Sequence, residues 1–267
     1  MFIVIISLIA VALCNVGNAA NVVAINPYFA HSHFAFMVKL IDILADEGHN
    51  MTMIIPSLDT SKHAPMPKKA RIIIRSEYST TSTLKDGIDQ GFWDDGSEIW
   101  KTRQMAAQFT TELLRQCEDF LSDKSFIDSM KAENFDMAMI EPTDFCGYGF
   151  LKQINVTAFV NIVPMALSEK HALANGLPGR NFEAFPTTND YHPGLTYTER
   201  LLNYVHPIIR HFLHGHYDSG ISSNVVQKYV DPNFHQDQAI GGARFTFLNT
   251  EEHMDFPRPI RWHHCVQ

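Results

Sequence analysis

Apolar positions along this chain fall into two alternating rhythms: short β-branched runs, and longer segments with apolar residues three and four apart. The run Asn21-Val-Val-Ala-Ile-Asn26 stops at Pro27 and predicts a buried strand. Residues 34–47 then set Phe34, Met37, Leu40, Ile41 and Leu44 on one face of a helix, with Gly48 placed to cap its C-terminus. Asn50-Met-Thr-Met-Ile-Ile55, halted by Pro56, predicts the next strand. Strand, helix and strand in that order make a βαβ unit, whose two strands run parallel in one sheet.

The rhythm recurs downstream. Residues 71–75 predict a third strand, and the polar, aperiodic stretch 76–96 a long loop. Residues 98–121 predict the strongest helix, with Met105, Phe109, Leu113, Cys117 and Phe120 along one face. A short helix over 125–132 leads into a strand over 135–140, then a helical stretch after Gly147 and a strand over 157–163. Residues 165–196, rich in Pro, Gly and Asn, predict loop with broken helix. Helices follow over 198–215, kinked at Pro207, and over 219–229. A strand over 245–249 comes last, and Phe256-Pro-Arg-Pro259 ends regular structure. The sum is an α/β fold, doubly wound around a parallel sheet.

The first residues change the setting. The apolar run Met1 to Leu13 is too short to span a bilayer, and Gly17-Asn18-Ala19 offers a cleavage signature, so residues 1–20 read as a secretory signal peptide. The sequons Asn50-Met-Thr52 and Asn155-Val-Thr157 fit a lumenal protein. Beyond the signal stand Cys117, Cys146 and Cys265, whose wide spacing is no disulfide framework; the core is expected to hold the fold by itself. A net charge of −8, with its 21 basic residues scattered, excludes nucleic acid and an anionic membrane surface as partners.

In an open parallel sheet, ligands bind beyond the carboxyl ends of the strands. Two segments there carry reactive side chains: Asn26-Pro-Tyr-Phe-Ala-His-Ser-His-Phe34 after the first strand, and Glu141-Pro-Thr-Asp-Phe-Cys-Gly147 after the strand over 135–140. A histidine from the first and an acid from the second, Glu141 or Asp144, can meet across the sheet edge. Such a pair suits general-base work, because the carboxylate fixes the imidazole tautomer and stabilises the imidazolium. His31 and His33 are equal candidates on this ground. His206, His211, His214 and His216 read as a solvated helix face rather than metal ligands, so no metal is expected. No Gly-x-Ser-x-Gly elbow or Gly-x-Gly-x-x-Gly turn appears, which argues against a hydrolase or dehydrogenase.

The segment Ile25-Asn-Pro-Tyr-Phe-Ala-His-Ser-His-Phe-Ala-Phe-Met37 resembles the start of UDP-glucuronosyltransferases and their UDP-glycosyltransferase relatives, nematode members among them. The likeness continues through Ala45-Asp-Glu-Gly-His-Asn-Met-Thr52 and through residues 135–147. It ends with Phe247-Leu-Asn-Thr-Glu-Glu252 and Asp255-Phe-Pro-Arg-Pro-Ile260. The resemblance implies the N-terminal, acceptor-binding half of a two-domain GT-B glycosyltransferase, a Rossmann-like domain over 21–260. It implies residence in the endoplasmic reticulum lumen, with membrane association. His33 matches the family's base and Glu141 its supporting acid, at a position where many relatives carry Asp, with Asp144 the alternative. The implied reaction is inverting transfer of a sugar from a UDP-sugar to a hydroxyl of a small lipophilic acceptor. Tyr28, Phe29 and Phe34 are the acceptor-binding candidates. The family's donor signature of Trp, Pro, Gln, His and Glu has no counterpart here, and residues 261–267 read as a divergent tail. The UDP-sugar is therefore expected as a co-substrate whose site lies outside this chain, supplied by a donor-binding chain or a full-length relative. The alternative is a secreted lipophile-binding or partner-modulating module without catalysis.

Overall fold

The computed structural model describes residues 19–28, 30–60, 63–78, 111, 113–142, 146–167, 169–177, 196–198, 201, 205, 220–250 and 264–266. In chain order the strands are β1 (Asn21–Ile25), β2 (Asn50–Ile55), β3 (Leu58–Asp59), β4 (Arg71–Ile74), β5 (Glu77–Tyr78), β6 (Met137–Ile140), β7 (Phe159–Val163), β8 (Phe245–Leu248) and β9 (His264–Val266). The helices are α1 (His31–Asp46), α2 (113–122), α3 (Lys124–Ala132), α4 (Cys146–Gln153), α5 (Glu169–Ala174), α6 (Gly220–Tyr229) and α7 (Gln236–Gly241).

Seven strands pair in parallel in the order β4-β2-β1-β6-β7-β8-β9, and β3 and β5 form a separate parallel pair. The order grows outward from β1 to β4, then restarts on the other side of β1 with β6, so the direction of winding reverses between β1 and β6. Strand β1 shows why its sequence is apolar throughout. Val22 and Ala24 pack under Phe34, Met37, Val38 and Ile41 of α1, whereas Val23 and Ile25 face a second layer built by Phe120, Phe126, Phe150 and Val226. A strand covered on both faces has no polar side to alternate with.

In that second layer the Phe150 ring of α4 stacks on Phe120 of α2 at 4.6 Å and on Phe126 of α3 at 5.6 Å. Asp123 starts α3, accepting from the Phe126 N–H at 3.0 Å; this bond, followed by the Arg75 guanidinium, holds its carboxyl below the ordinary carboxylate value. Because one ring ties three helices together, Phe150→Ala is expected to cost about 3–5 kcal/mol. A urea titration checks it: the midpoint falls and the slope stays unchanged.

Three helix ends share one motif, that of α5 closing through Gly176 (φ +72°) and Leu177. At α1, the Gly48 N–H donates to the Ala45 carbonyl at 3.2 Å and His49 N–H to that of Leu44 at 3.1 Å, with Gly48 at φ +92°. At α4, Asn155 (φ +62°) and Val156 donate likewise to the carbonyls of Lys152 and Leu151, at 3.3 and 2.9 Å. These are Schellman closures, with the left-handed residue at the first position past the cap.

Several expectations are corrected. Helix α1 begins at His31, not at residue 34, because its first turn is polar and carries no apolar period. Elements β3, β5 and α7 were not read at all, being too short for periodicity to register. The tail does not end regular structure: β9 joins the sheet with Cys265 opposite Phe247, extending a strand that would otherwise leave its backbone groups at an edge. Nor does the core stand alone, since Cys117 of α2 and Cys146 of α4 form a disulfide, Cα atoms 5.6 Å apart. Spacing in sequence could not show this; packing of both helices on one side of the sheet brings them together. Residues 1–18, most of the 76–96 loop, the start of the 98–121 helix and all four of His206, His211, His214 and His216 lie outside the described residues. Among the described residues, no helix is long and apolar enough to cross a membrane.

Candidate active site

The reversal of winding places the exits of β1 and β6 side by side. The Glu141 N–H reaches the carbonyl of Ile25, the last residue of β1, at 3.4 Å, so the residue following β6 is docked on the end of its neighbour. From the β1 side, the chain turns through Asn26 and Pro27 and is pinned by the Tyr28 N–H, which donates to the Ser57 carbonyl at 2.8 Å. Helix α1 then starts immediately, bringing its first turn over the exit of β6.

His33 stands in that first turn, and its Nδ1 lies 2.5 Å from Glu141 Oε1, closing a sequence separation of 108. Glu141 is 1% exposed and His33 14%, so the carboxylate is interior while the ring keeps an edge toward solvent. A carboxylate only accepts, which makes Nδ1 the protonated nitrogen and places the imidazole lone pair on Nε2. The dyad can therefore take a proton at Nε2 and hold the resulting imidazolium against a buried negative charge. His31 is separated from this role: two positions away on a helix it points elsewhere, to the Tyr28 hydroxyl at 3.4 Å.

Tyr28 and Phe34 are 0% exposed and meet edge to face at 4.8 Å. They seat α1 on the sheet and present no surface to a ligand in this structure, because the tight turn after β1 folds Tyr28 inward. Burial, with the Asp59 charge second, raises the Tyr28 phenol above its ordinary value. Phe29 and Asp144 lie outside the described residues. On the same sheet edge a narrow cleft runs between Pro27, Pro56 and Ser57 on the strand side and Leu113 and Phe120 of α2, floored by the disulfide. The segment after β6 carries Cys146 to this edge, but nothing in the sequence pairs it with Cys117, whose only signal is that of a buried helical position. Gly147 fits α4 against the dyad's supports, since a Cβ there would lie 2.6 Å from Ile140 Cδ1.

A doubly wound parallel sheet with an imidazole–carboxylate pair at its switch point is a Rossmann-like domain, and the pair stands at the sheet edge where such folds bind ligands. The chain belongs to the UDP-glucoronosyl and UDP-glucosyl transferase family, whose model matches residues 22–264. The Caenorhabditis elegans relative ugt-47 is 22% identical over 249 residues, covering 91% of this chain and 46% of its own. UDP-glucuronosyltransferase 2C1 of Oryctolagus cuniculus is 22% identical over 250 residues, covering 86% and 47%. UDP-glucuronosyltransferase 3A2 of Homo sapiens is 28% identical over 155 residues, covering 55% and 28%. Among solved structures, the glycotransferase of kitacinnamycin aligns with a TM-score of 0.44 at 8% identity, over 86% of this chain and 46% of that one. The chain spans about half the length of the curated relatives it matches most fully. Its parallel sheet, covered by helices on both faces, is Rossmann-like.

Proposed function

We propose that this chain supplies the acceptor side of an inverting UDP-glycosyltransferase of the glucuronosyltransferase type, working in the lumen of the secretory pathway. The observation that carries the reading is the 2.5 Å contact between His33 and Glu141 at the switch point of the sheet. A small lipophilic alcohol or phenol enters at the carboxyl edge with its hydroxyl against the imidazole. His33 Nε2 takes the hydroxyl proton as the acceptor oxygen attacks the anomeric carbon. The bond from that carbon to the diphosphate breaks, and its electron pair leaves on UDP. Glu141 stabilises the imidazolium, and attack opposite the leaving group inverts the anomeric centre. The UDP-sugar is held by a second, donor-binding half of the kind that completes the relatives' length.

The chain is to be purified alone and co-expressed with the C-terminal half of a family member, then incubated with UDP-sugars and simple phenols. Co-expression is expected to yield a glycoside of inverted configuration by NMR. Lipophile binding without transfer in either preparation supports instead a binding module with no catalytic role.

A further inference from the structure

We propose that Asn155 carries an N-linked glycan and that Asn50, the other sequon asparagine, does not. Sequence makes the two equivalent; the fold does not. Asn155 is the left-handed residue closing α4, at φ +62°, and both it and Thr157 are exposed. Its backbone is fixed by the Schellman bonds, and its side-chain amide enters no hydrogen bond with the described residues. The intervening Val156 is buried and anchors the turn, so the asparagine and threonine project outward on either side of it. The turn joins α4 to the start of β7, at the amino edge of the sheet, opposite the edge that holds His33 and Glu141. A glycan there leaves the acceptor entrance open.

Asn50 is exposed at the same amino edge, but its side chain and its threonine are held differently. It is the first residue of β2, paired with Asn21, and its Nδ2 donates to Asn21 Oδ1 at 2.9 Å. Thr52, which the modifying enzyme must engage, is 3% exposed inside the sheet. Once β1, α1 and β2 close, that sequon is withdrawn. The Cys117–Cys146 disulfide independently places the chain in an oxidising compartment, where such modification takes place. In the transfer, Asn155 Nδ2 displaces the diphosphate of a lipid-linked oligosaccharide. The anomeric C–O bond breaks with its electron pair on the diphosphate, a C–N bond forms, and one amide proton is released. The lumenal oligosaccharide-transferring enzyme of the host performs the step.

The inference rests on the lumenal placement and not on the chemistry of His33, so the two fail separately. The test expresses the whole chain with its own N-terminus in eukaryotic cells, confirms protease protection in microsomes, and removes glycans with a peptide-N-glycosidase in heavy-oxygen water. One step of mobility shift is expected, lost in Asn155→Gln and in Thr157→Ala and kept in Asn50→Gln, with the heavy-oxygen aspartate mapped to position 155. Thr157→Ala and the isotope label on the unaltered chain decide the matter even if Asn155→Gln fails to fold. A protected chain with no shift, a shift that survives Thr157→Ala, a label at position 50, or an unprotected chain each overturns the proposal.

Discussion

His33→Ala is expected to lower the transfer rate by a factor on the order of 10²–10⁴ while leaving acceptor affinity within about twofold. The split follows from the geometry. On the proposed mechanism the imidazole meets the reacting hydroxyl, whereas most of a lipophilic acceptor's binding is expected from apolar surface away from that group. Glu141→Gln is the informative companion. The amide carbonyl still accepts from Nδ1–H, so the ring keeps its orientation and tautomer, yet the negative charge facing the imidazolium is gone. Turnover should fall and acceptor affinity should not. Measuring kcat by product formation and Kd by acceptor titration on the same preparations checks both variants. Turnover of His33→Ala within about tenfold of the parent removes His33 from the mechanism.

The second large effect concerns stability. Replacing Cys117 and Cys146 together by Ser opens a bridge that closes a sequence separation of 29. Chain-entropy reasoning assigns such a loop about 3–4 kcal/mol. Against a total stability of about 5–15 kcal/mol for a domain, that loss decides how much of the chain is folded. The bridge joins α2 to the first turn of α4, five residues past Glu141, so the same change also loosens the support of the carboxylate. Chemical denaturation with and without reductant is the measurement. The parent chain should lose stability on reduction, and the double variant should start low and ignore the reductant. A parent chain unaffected by reductant shows that the bridge contributes nothing to folding.

How much of this was legible in advance depended on how each element announces itself. The unit from β1 through β2 was readable because Pro27, Gly48 and Pro56 punctuate it and because strands covered on both faces are apolar without a break. The sheet edge that holds the site followed from parallel pairing alone. The choice between His31 and His33 did not follow from the residue types; it needed the resemblance, and the helix now supplies the reason, since two positions turn one ring to Glu141 and the other to Tyr28. Tyr28 and Phe34 looked like pocket walls because aromatic residues beside a catalytic turn can serve as either wall or core. The inward path of the chain after β1 leaves both buried in this structure, which the residue types alone could not show. The disulfide and β9 stayed hidden for one physical reason. Both depend on contacts between distant segments, and neither has a local pattern to betray it.

The position of β1 at the centre of the sheet has a consequence for the order of assembly. Its pairing with β2 needs only the closure of α1, whereas its pairing with β6 waits for a segment far along the chain; the bond that the Asn21 backbone N–H donates to the Asp136 carboxylate spans 115 positions. Distant parallel pairings carry a large closure entropy and form slowly. The half of the site bearing His33 is therefore expected to form before the half bearing Glu141 joins it. A chain stalled before that pairing would display a histidine with no acid behind it.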